Sequence, residues 1–248
     1  MKRIILTFLL AAAVLGAGEI RIAVAANVSY AIEDLKKAFH KLYPDIKVQV
    51  VLGSSGKLTA QIMSGAPYQL FLSANMKYPE ALYEKELALT KPVVYAEGML
   101  AMLSIKPYDF SKGIALVKEE SIKRIAVAKP TTAPYGKAAI EAMKNAGVYK
   151  IVKNKFVFAE SVSQTVSYTI TAADLGFIAK SSLYSPKMKK YEEGVNWKTI
   201  DPKLYMPIKQ GIVVLKKAES NDEAKAFYTF ILSDKAKAIF KKFGYLVP

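Results

Sequence analysis

The stretch that decides the fold is Val50-Val51-Leu52-Gly53-Ser54-Ser55-Gly56-Lys57-Leu58. An apolar strand enters this stretch, a loop of glycines and serines follows, and a helix leaves it. Glycine lets the backbone approach a ligand closely, and the first turn of a helix presents unpaired N–H groups with a partial positive charge. The stretch therefore predicts an anion-binding loop, in which the serine hydroxyls add further donors.

The same alternation of strand and helix continues along the chain. Strands are predicted at residues 19–26, 47–52, 69–73, 124–128, 156–159, 175–179 and 211–215. Helices are predicted at residues 28–42, 56–64, 78–85, 134–145, 162–171 and 223–243. Residues 93–104 are expected to be extended, and residues 184–202 irregular. Short loops between alternating elements are typical of a mainly parallel sheet with covering helices, so the predicted fold class is α/β.

The alternation restarts after the extended segment, which predicts two α/β lobes with a hinge and a ligand cleft between them. Lobe 1 is expected to comprise residues 19–99 plus 208–248, and lobe 2 residues 100–207. Two crossing strands would form the hinge. Ligands of such sheets bind beyond the carboxyl ends of the strands, so the strand-to-helix junctions are the places to look for a site.

Four of these junctions share the chemistry of the opening stretch, because each begins its helix with small or hydroxyl residues. In chain order they are the first junction (residues 25–29), the second (53–56), the third (131–136) and the fourth (159–164). The simplest interpretation is helix capping, and Ser161 with Gln164 has the spacing of a capping box. Capping explains any single junction well. The recurrence of the pattern favours a shared anion site.

Charge and composition narrow the choice of partner. The 248 residues contain 36 Lys and Arg against 21 Asp and Glu, a net charge of +15. Such a charge suits nucleic acid, an anionic surface or an anionic solute. The lysines are spread along helix faces among carboxylates, and the sequence has no RNA-binding signature or zinc-finger spacing. We therefore expect no nucleic-acid partner.

Several enzyme classes fit the sequence poorly. Cysteine is absent, which excludes disulfides and thiol chemistry, and the single histidine, His40, falls on the polar side of a helix. A serine hydrolase built on Ser54 or Ser55 would need a base, and no Gly-x-Ser-x-Gly motif is present. Leu58 after Lys57 breaks the phosphate-loop motif. We predict a protein that is not an enzyme, with no catalytic residue and no cofactor.

The N-terminus resembles a secretory signal peptide. Lys2 and Arg3 make a basic start, residues 4–15 form an apolar run, and residues 16–18 are small. We expect cleavage near residue 18 and a mature chain outside the cytoplasm. An uncleaved membrane anchor is the competing interpretation, although the run is short for a bilayer. Export also argues against a ligand-sensing domain of a transcription regulator, which can share this fold.

Several motifs together carry a family resemblance. In chain order they are Gly53-Ser54-Ser55-Gly56-Lys57-Leu58, Gly65-Ala66-Pro67, Leu70-Phe71-Leu72-Ser73-Ala74, Ala133-Pro134-Tyr135-Gly136-Lys137, Asp174-Leu175-Gly176-Phe177-Ile178-Ala179 and Phe243-Gly244-Tyr245. In this order and spacing they resemble the molybdate-binding proteins of bacterial ABC transporters. That resemblance implies the type II periplasmic binding protein fold. It also implies a periplasmic monomer that captures molybdate or tungstate and delivers it to the transporter's membrane permease.

The resemblance also implies the contacts. Motif matching places the oxyanion against Asn27, Ser55, Tyr135 and the backbone of Val162, which would hold its oxygens by neutral hydrogen bonds without ligating the metal atom. Asn27 stands where many members have serine, and Ala179 where some have a ligand-binding tyrosine that Tyr135 would replace. Whether Asn27 and Tyr135 would bind through side chain or backbone is open. Another tetrahedral oxyanion, sulfate or phosphate, is the alternative ligand.

Overall fold

The structure, a computed structural model, describes residues 18–248. The predicted signal segment lies outside the described residues except for Gly18. Within residues 18–248, no helix combines the length and the apolar character that crossing a membrane requires.

The described residues form ten strands and eight α-helices. The strands are β1 (Glu19–Ala25), β2 (Lys47–Gly53), β3 (Leu70–Leu72), β4 (Val93–Gly98), β5 (Leu100–Leu103), β6 (Ile125–Ala128), β7 (Phe156–Ala159), β8 (Leu175–Ala179), β9 (Trp197–Thr199) and β10 (Ile208–Val214). The helices are α1 (Ile32–His40), α2 (Ser55–Met63), α3 (Lys77–Glu84), α4 (Pro134–Asn145), α5 (Tyr149–Val152), α6 (Val162–Thr171), α7 (Asp222–Leu232) and α8 (Asp234–Lys242). Short 3₁₀ helices lie at Ala26–Tyr30, Phe110–Lys118, Lys153–Lys155, Lys180–Tyr184, Pro186–Met188, Pro202–Leu204 and Lys216–Ala218.

The strands form two five-stranded sheets, in the orders β2-β1-β3-β10-β4 and β7-β6-β8-β5-β9. In the first sheet β1 runs parallel to β2 and β3, while β10 is antiparallel to β3 and β4. In the second sheet β6 is parallel to β7 and β8, while β5 is antiparallel to β8 and β9. The predicted α/β class is confirmed. Each sheet is mixed, because a returning strand adds antiparallel pairs to a parallel unit.

The chain passes between the sheets at two places. The first lies at Met99, between β4 and β5, and the second lies between β9 and β10. Hydrogen bonds fix both passages: Lys180 N donates to Met99 O at 2.8 Å, and Leu100 N donates to the Tyr205 hydroxyl at 3.1 Å. The division into hinged lobes stays a prediction.

Alternating side chains of the strands build the cores on both faces of each sheet. On one face of the first sheet, Ile22 and Val24 pack with Phe39 of α1 and Phe227 of α7. The opposite face presents the neighbouring residue Ala23 to an apolar cluster that includes α2 and α3. The carboxyl ends of the parallel strands are therefore held between two packed layers of helices.

The C-terminal helix differs from the sequence prediction of one element at residues 223–243. It is broken into α7 and α8 at Ser233, whose extended backbone lets its Oγ accept a bond from Ala236 N at 3.4 Å and cap α8. Both helices turn apolar residues toward the same sheet, which is why the periodicity looked continuous. Elsewhere, the segment predicted irregular contains β9, which pairs with β5, and the first predicted helix begins as the 3₁₀ turn Ala26–Tyr30.

Candidate functional site

The junctions follow four strands that are parallel within each sheet. The first and second follow β1 and β2 in the first sheet, and the third and fourth follow β6 and β7 in the second. Carboxyl ends of parallel strands share one edge, so each sheet presents two junctions together.

The structure brings the junctions of the two sheets into contact. Gly56 N donates to Thr132 O at 2.9 Å, which joins the second junction to the third through the backbone. The Tyr78 hydroxyl adds a bond to Thr131 O at 3.2 Å. One apolar core contains residues of both sheets beside these bonds, namely Ala25, Ala26, Ala74, Ala133, Tyr135 and Val162. The two sheets therefore meet at the junctions.

All four predicted site residues are buried at this meeting point. Their exposed fractions are 0% for Asn27, 1% for Ser55, 1% for Tyr135 and 5% for Val162. A ligand held there would be enclosed by protein. Lys57 and Lys137, by contrast, are exposed on the outer sides of α2 and α4, so the groups that line the site are neutral ones.

Ser55 is the first residue of α2, and its hydroxyl does not cap that helix. Its Oγ accepts a bond from Ala74 N at 2.9 Å. Within the described residues the hydroxyl proton of Ser55 has no acceptor, so it is available to an anion. Ser54, in the N-cap position, makes no capping bond either. The geometry disfavours ordinary capping at the second junction.

Unpaired polar atoms cluster at the junctions. Among residues 18–248, four buried side-chain oxygen atoms have no hydrogen-bond partner, and three of them are Asn27 Oδ1, Ser54 Oγ and Thr132 Oγ1. Buried polar groups are normally paired, so this concentration indicates a place for a polar ligand. The sequence did not predict Ser54 or Thr132 as anion contacts. Only their burial without a partner distinguishes them.

Asn27 has both side-chain N–H groups engaged. Its Nδ2 donates to Gln210 Oε1 at 2.8 Å and to the Tyr245 hydroxyl at 3.0 Å. The backbone carbonyl oxygen of Asn27 accepts hydrogen bonds from the Tyr245 hydroxyl at 2.8 Å and from Ser181 Oγ at 3.0 Å. Ser181 lies two residues after Ala179, the last residue of β8. The side chain of Asn27 therefore has no free donor, and its backbone N–H is the group left for an anion.

The phenol of Tyr135 points away from helix α4 toward the passage between the sheets. Its hydroxyl accepts from Gln210 Nε2 at 3.3 Å. A Cβ atom on Gly98 would lie 1.9 Å from that hydroxyl, so only glycine fits there. Burial raises the pKa of Tyr135 well above its ordinary value, and burial also raises the pKa of Tyr245. Both phenols stay neutral at physiological pH. Sequence reasoning missed Gln210, which donates to the Tyr135 hydroxyl.

The fourth junction combines a capped helix with an available N-terminus. Ser161 Oγ accepts from Gln164 N at 3.4 Å, and Gln164 Oε1 accepts from Glu160 N at 3.1 Å. The predicted capping role of Ser161 is confirmed. Val162 follows as the first residue of α6. Its N–H is one of the groups that α-helices leave unpaired in their first turn.

Metal ligation by acidic or histidine clusters is not seen in the described part of the chain. Residues 18–248 contain no group of three or more His, Cys, Asp or Glu side chains that could hold a metal ion. His40 is exposed on α1, as its position in the sequence predicts. The donors present are hydroxyls, amides and backbone N–H groups, which suit an anion.

Comparison with known proteins supplies the family. Residues 20–246 match the model of a family described as bacterial extracellular solute-binding protein. The chain belongs to this family. Within it, the chain is similar to the molybdate-binding protein ModA of Azotobacter vinelandii, with 35% identity over 232 residues, covering 92% of this chain and 90% of the relative. The ModA protein of Rhodobacter capsulatus is also 35% identical, covering 93% and 89%.

Solved structures of solute-binding proteins agree with this assignment. The periplasmic molybdate-binding protein of Azotobacter vinelandii matches with a TM-score of 0.85 and 31% identity, covering 92% of this chain and 99% of that one. The sulfate-binding protein SubI of Mycobacterium tuberculosis matches with a TM-score of 0.73 at 12% identity, which shows the fold alone. The predicted resemblance to molybdate-binding proteins and the type II periplasmic binding fold are confirmed.

Proposed function

We propose that this protein is a periplasmic solute-binding protein that captures molybdate or tungstate and delivers it to the membrane permease of an ABC transporter. One observation carries the proposal. The four residues proposed to hold the anion, one from each junction, are all buried, and junctions of the two sheets are in contact through Gly56 N and Thr132 O. The names of the relatives, which describe molybdate binding, support the choice of ligand.

The chemistry of such a site favours a fully ionised tetrahedral anion. An enclosed dianion must replace the hydrogen bonds of its water shell. Neutral N–H and O–H donors at helix N-termini supply those bonds together with a favourable dipole, and hydrogen bonds to an ionised acceptor are strong. A buried lysine or arginine is not needed. Exposed Lys57 and Lys137 would act from outside by attracting the anion toward the cleft.

We assign the contacts residue by residue. Ser55 would donate through its hydroxyl and its N–H, and Val162 through its N–H. Asn27 and Tyr135 would donate through their backbone N–H groups, because the Asn27 amide is engaged with Gln210 and the Tyr135 phenol lies at Gly98. Ser54 and Thr132 are further candidates, since their buried hydroxyls are unpaired among the described residues. All of these groups would contact oxygens of the ligand.

The mode of action follows from the two sheets. Lobe 1 and lobe 2 would open and close about the passages at Met99 and Ile208, and the bonds from Gly56 and Tyr78 to the third junction would belong to the closed form. The protein would act as a monomer, without a cofactor and without catalysis. Residues 1–18 would direct export and be removed.

A titration of the purified protein tests the ligand. Molybdate and tungstate should raise the melting temperature, because a ligand at a thousand times its Kd stabilises the folded state by about 4 kcal/mol. Sulfate and phosphate should raise it far less. If sulfate or phosphate raised the melting temperature as much as molybdate does, the protein would not be specific for molybdate, and another tetrahedral oxyanion would become the proposed ligand. The absence of a shift with all four anions would overturn the proposed function.

A further inference from the structure

Gln210 has a buried side chain whose carboxamide makes three hydrogen bonds to other side chains. It lies on β10 with an exposed fraction of 0%, where the register with β4 shifts between Gln210 and Gly211. Its Oε1 accepts from Asn27 Nδ2 and from the Tyr95 hydroxyl, each at 2.8 Å. Its Nε2 donates to the Tyr135 hydroxyl at 3.3 Å. A register shift of this kind changes the direction in which a side chain leaves the strand.

These bonds connect parts of the molecule that the chain keeps apart. Asn27 and Tyr95 belong to the first sheet and its first junction, while Tyr135 belongs to α4 on the second sheet. Gln210 itself follows the second passage between the sheets by two residues, and Gly98 precedes the first passage. The Tyr135 hydroxyl therefore fits between the two crossing segments, against Gly98 and Gln210.

We propose that Gln210 is a positioning residue that couples closure of the cleft to the oxyanion contact at Asn27. The inference rests on the proposed function. When α4 approaches, the Tyr135 hydroxyl accepts a hydrogen bond from Gln210 Nε2 and fixes the orientation of the carboxamide. Oε1 then faces Asn27 Nδ2 and holds the first junction in place. Opening breaks the bond to Tyr135 and leaves a buried amide unpaired, which is unfavourable.

Two variants and their combination test this coupling. Gln210→Met keeps an unbranched side chain of similar length and removes every bond, whereas Tyr135→Phe removes only the bond between the sheets. Each should raise the dissociation rate of molybdate by about tenfold, the effect of one lost hydrogen bond. The double variant should dissociate no faster than Gln210→Met, because both changes act through one contact.

Tyr95→Phe is the matched control. It also removes a bond to Gln210 Oε1, but Tyr95 lies on β4 within the same sheet as β10. This variant should lower the melting temperature of the ligand-free protein and leave the dissociation rate within about twofold of wild type. Closure can be followed with dyes at Glu80→Cys and Lys144→Cys, because the chain has no cysteine and both positions are exposed. Gln210→Met should shift the molybdate-bound population toward the open form.

The outcomes separate the possibilities. Equal dissociation rates in Gln210→Met and Tyr95→Phe, or unchanged dye distances in Gln210→Met, would overturn the coupling. Multiplicative effects in the double variant would show instead that the Tyr135 phenol contacts the anion by itself. If Gln210→Met does not fold, Tyr135→Phe alone decides. A Tyr135→Phe protein with the wild-type dissociation rate and wild-type closure would then overturn the coupling. Wild-type protein that binds no molybdate would overturn the proposed function, whereas these results concern only Gln210.

Discussion

The hydroxyl of Ser55 has two separate uses, which a single substitution can reveal. It accepts the bond from Ala74 N, and its proton points to no acceptor in the described residues. In Ser55→Ala, loss of the proton should weaken molybdate binding by about 1.5 to 3 kcal/mol, or tenfold to more than a hundredfold. Loss of the acceptor should lower the stability of the ligand-free protein by about 1 kcal/mol. Calorimetric titration and thermal melting measure both.

Ser161→Ala is the control for Ser55, since the Ser161 hydroxyl accepts from Gln164 N within its own helix. This variant should lose about 0.5 to 2 kcal/mol of stability and keep its affinity. Native affinity in Ser55→Ala would show that the site does not use the hydroxyl. The backbone N–H groups would then remain as the donors of the second junction.

Ser54 gives the opposite expectation for stability. Its Oγ is buried and, within residues 18–248, pairs with nothing, so Ser54→Ala removes no protein hydrogen bond. The ligand-free protein should melt at or slightly above the wild-type temperature, because an unpaired buried hydroxyl is unfavourable. Molybdate affinity should fall by about tenfold if the hydroxyl donates to the anion. A variant that loses stability and keeps its affinity would assign Ser54 a purely structural role.

At the scale of elements, Asp174 joins the starts of β6 and β8. Its Oδ2 accepts from Lys123 N and Arg124 N, both at 2.9 Å. Partial burial acts to raise the pKa of the carboxyl, but these N–H groups and the nearby ammonium of Lys106 outweigh it, and the net pKa is lowered. The ionised carboxylate therefore stabilises the folded protein.

This pairing predicts a pH-dependent effect of Asp174→Ala. A lowered folded pKa contributes stability above the unfolded value of about 4, and the contribution is lost as the pH falls through the folded pKa. At pH 7 the variant should be less stable than wild type by about 1 to 3 kcal/mol. The difference should shrink steadily toward pH 3. Urea unfolding at both pH values measures it, and a difference independent of pH would argue against the ionised contact.

Elements with clear flanking signals were predictable from sequence. α4 begins at Pro134 and ends before Gly147, and α6 follows a capping serine; both were predicted with the bounds observed. The break between α7 and α8 was not, because Ser233 interrupts an apolar pattern that continues on both sides. Elements that depend on partners distant in sequence were the difficult ones, and β9 is recognisable only through its pairing with β5.

The candidate site also contains some residues that were predictable from sequence and others that were not. Ser55 and Val162 stand at helix starts, which local sequence signals identify. Gln210 lies 183 residues from Asn27 along the chain, so no local pattern could relate them. The contact between the Tyr135 hydroxyl and Gly98 likewise could be seen only in the structure, because it depends on how distant parts of the chain pack together.

For the whole molecule, the proposed hinge predicts a change of shape on binding. Closing of lobe 1 on lobe 2 should lower the radius of gyration in small-angle scattering when molybdate is added, because closure of two lobes about a hinge makes the molecule more compact. Sulfate at the same concentration is the control. An unchanged radius together with tight binding by calorimetry would count against a hinged cleft.

The bond from Gly56 N to Thr132 O has a consequence for how this protein changes over evolutionary time. Both partners are backbone atoms, so the contact between the sheets does not depend on a matched pair of side chains. The exception is position 56 itself, where a Cβ would approach Thr132 Cα to 2.9 Å and the Tyr78 hydroxyl to 2.7 Å. At this one contact, the side chain at position 132 can then change without a matching change at position 56. Selection for this contact acts on one glycine, and no compensating mutation on the opposite side is required.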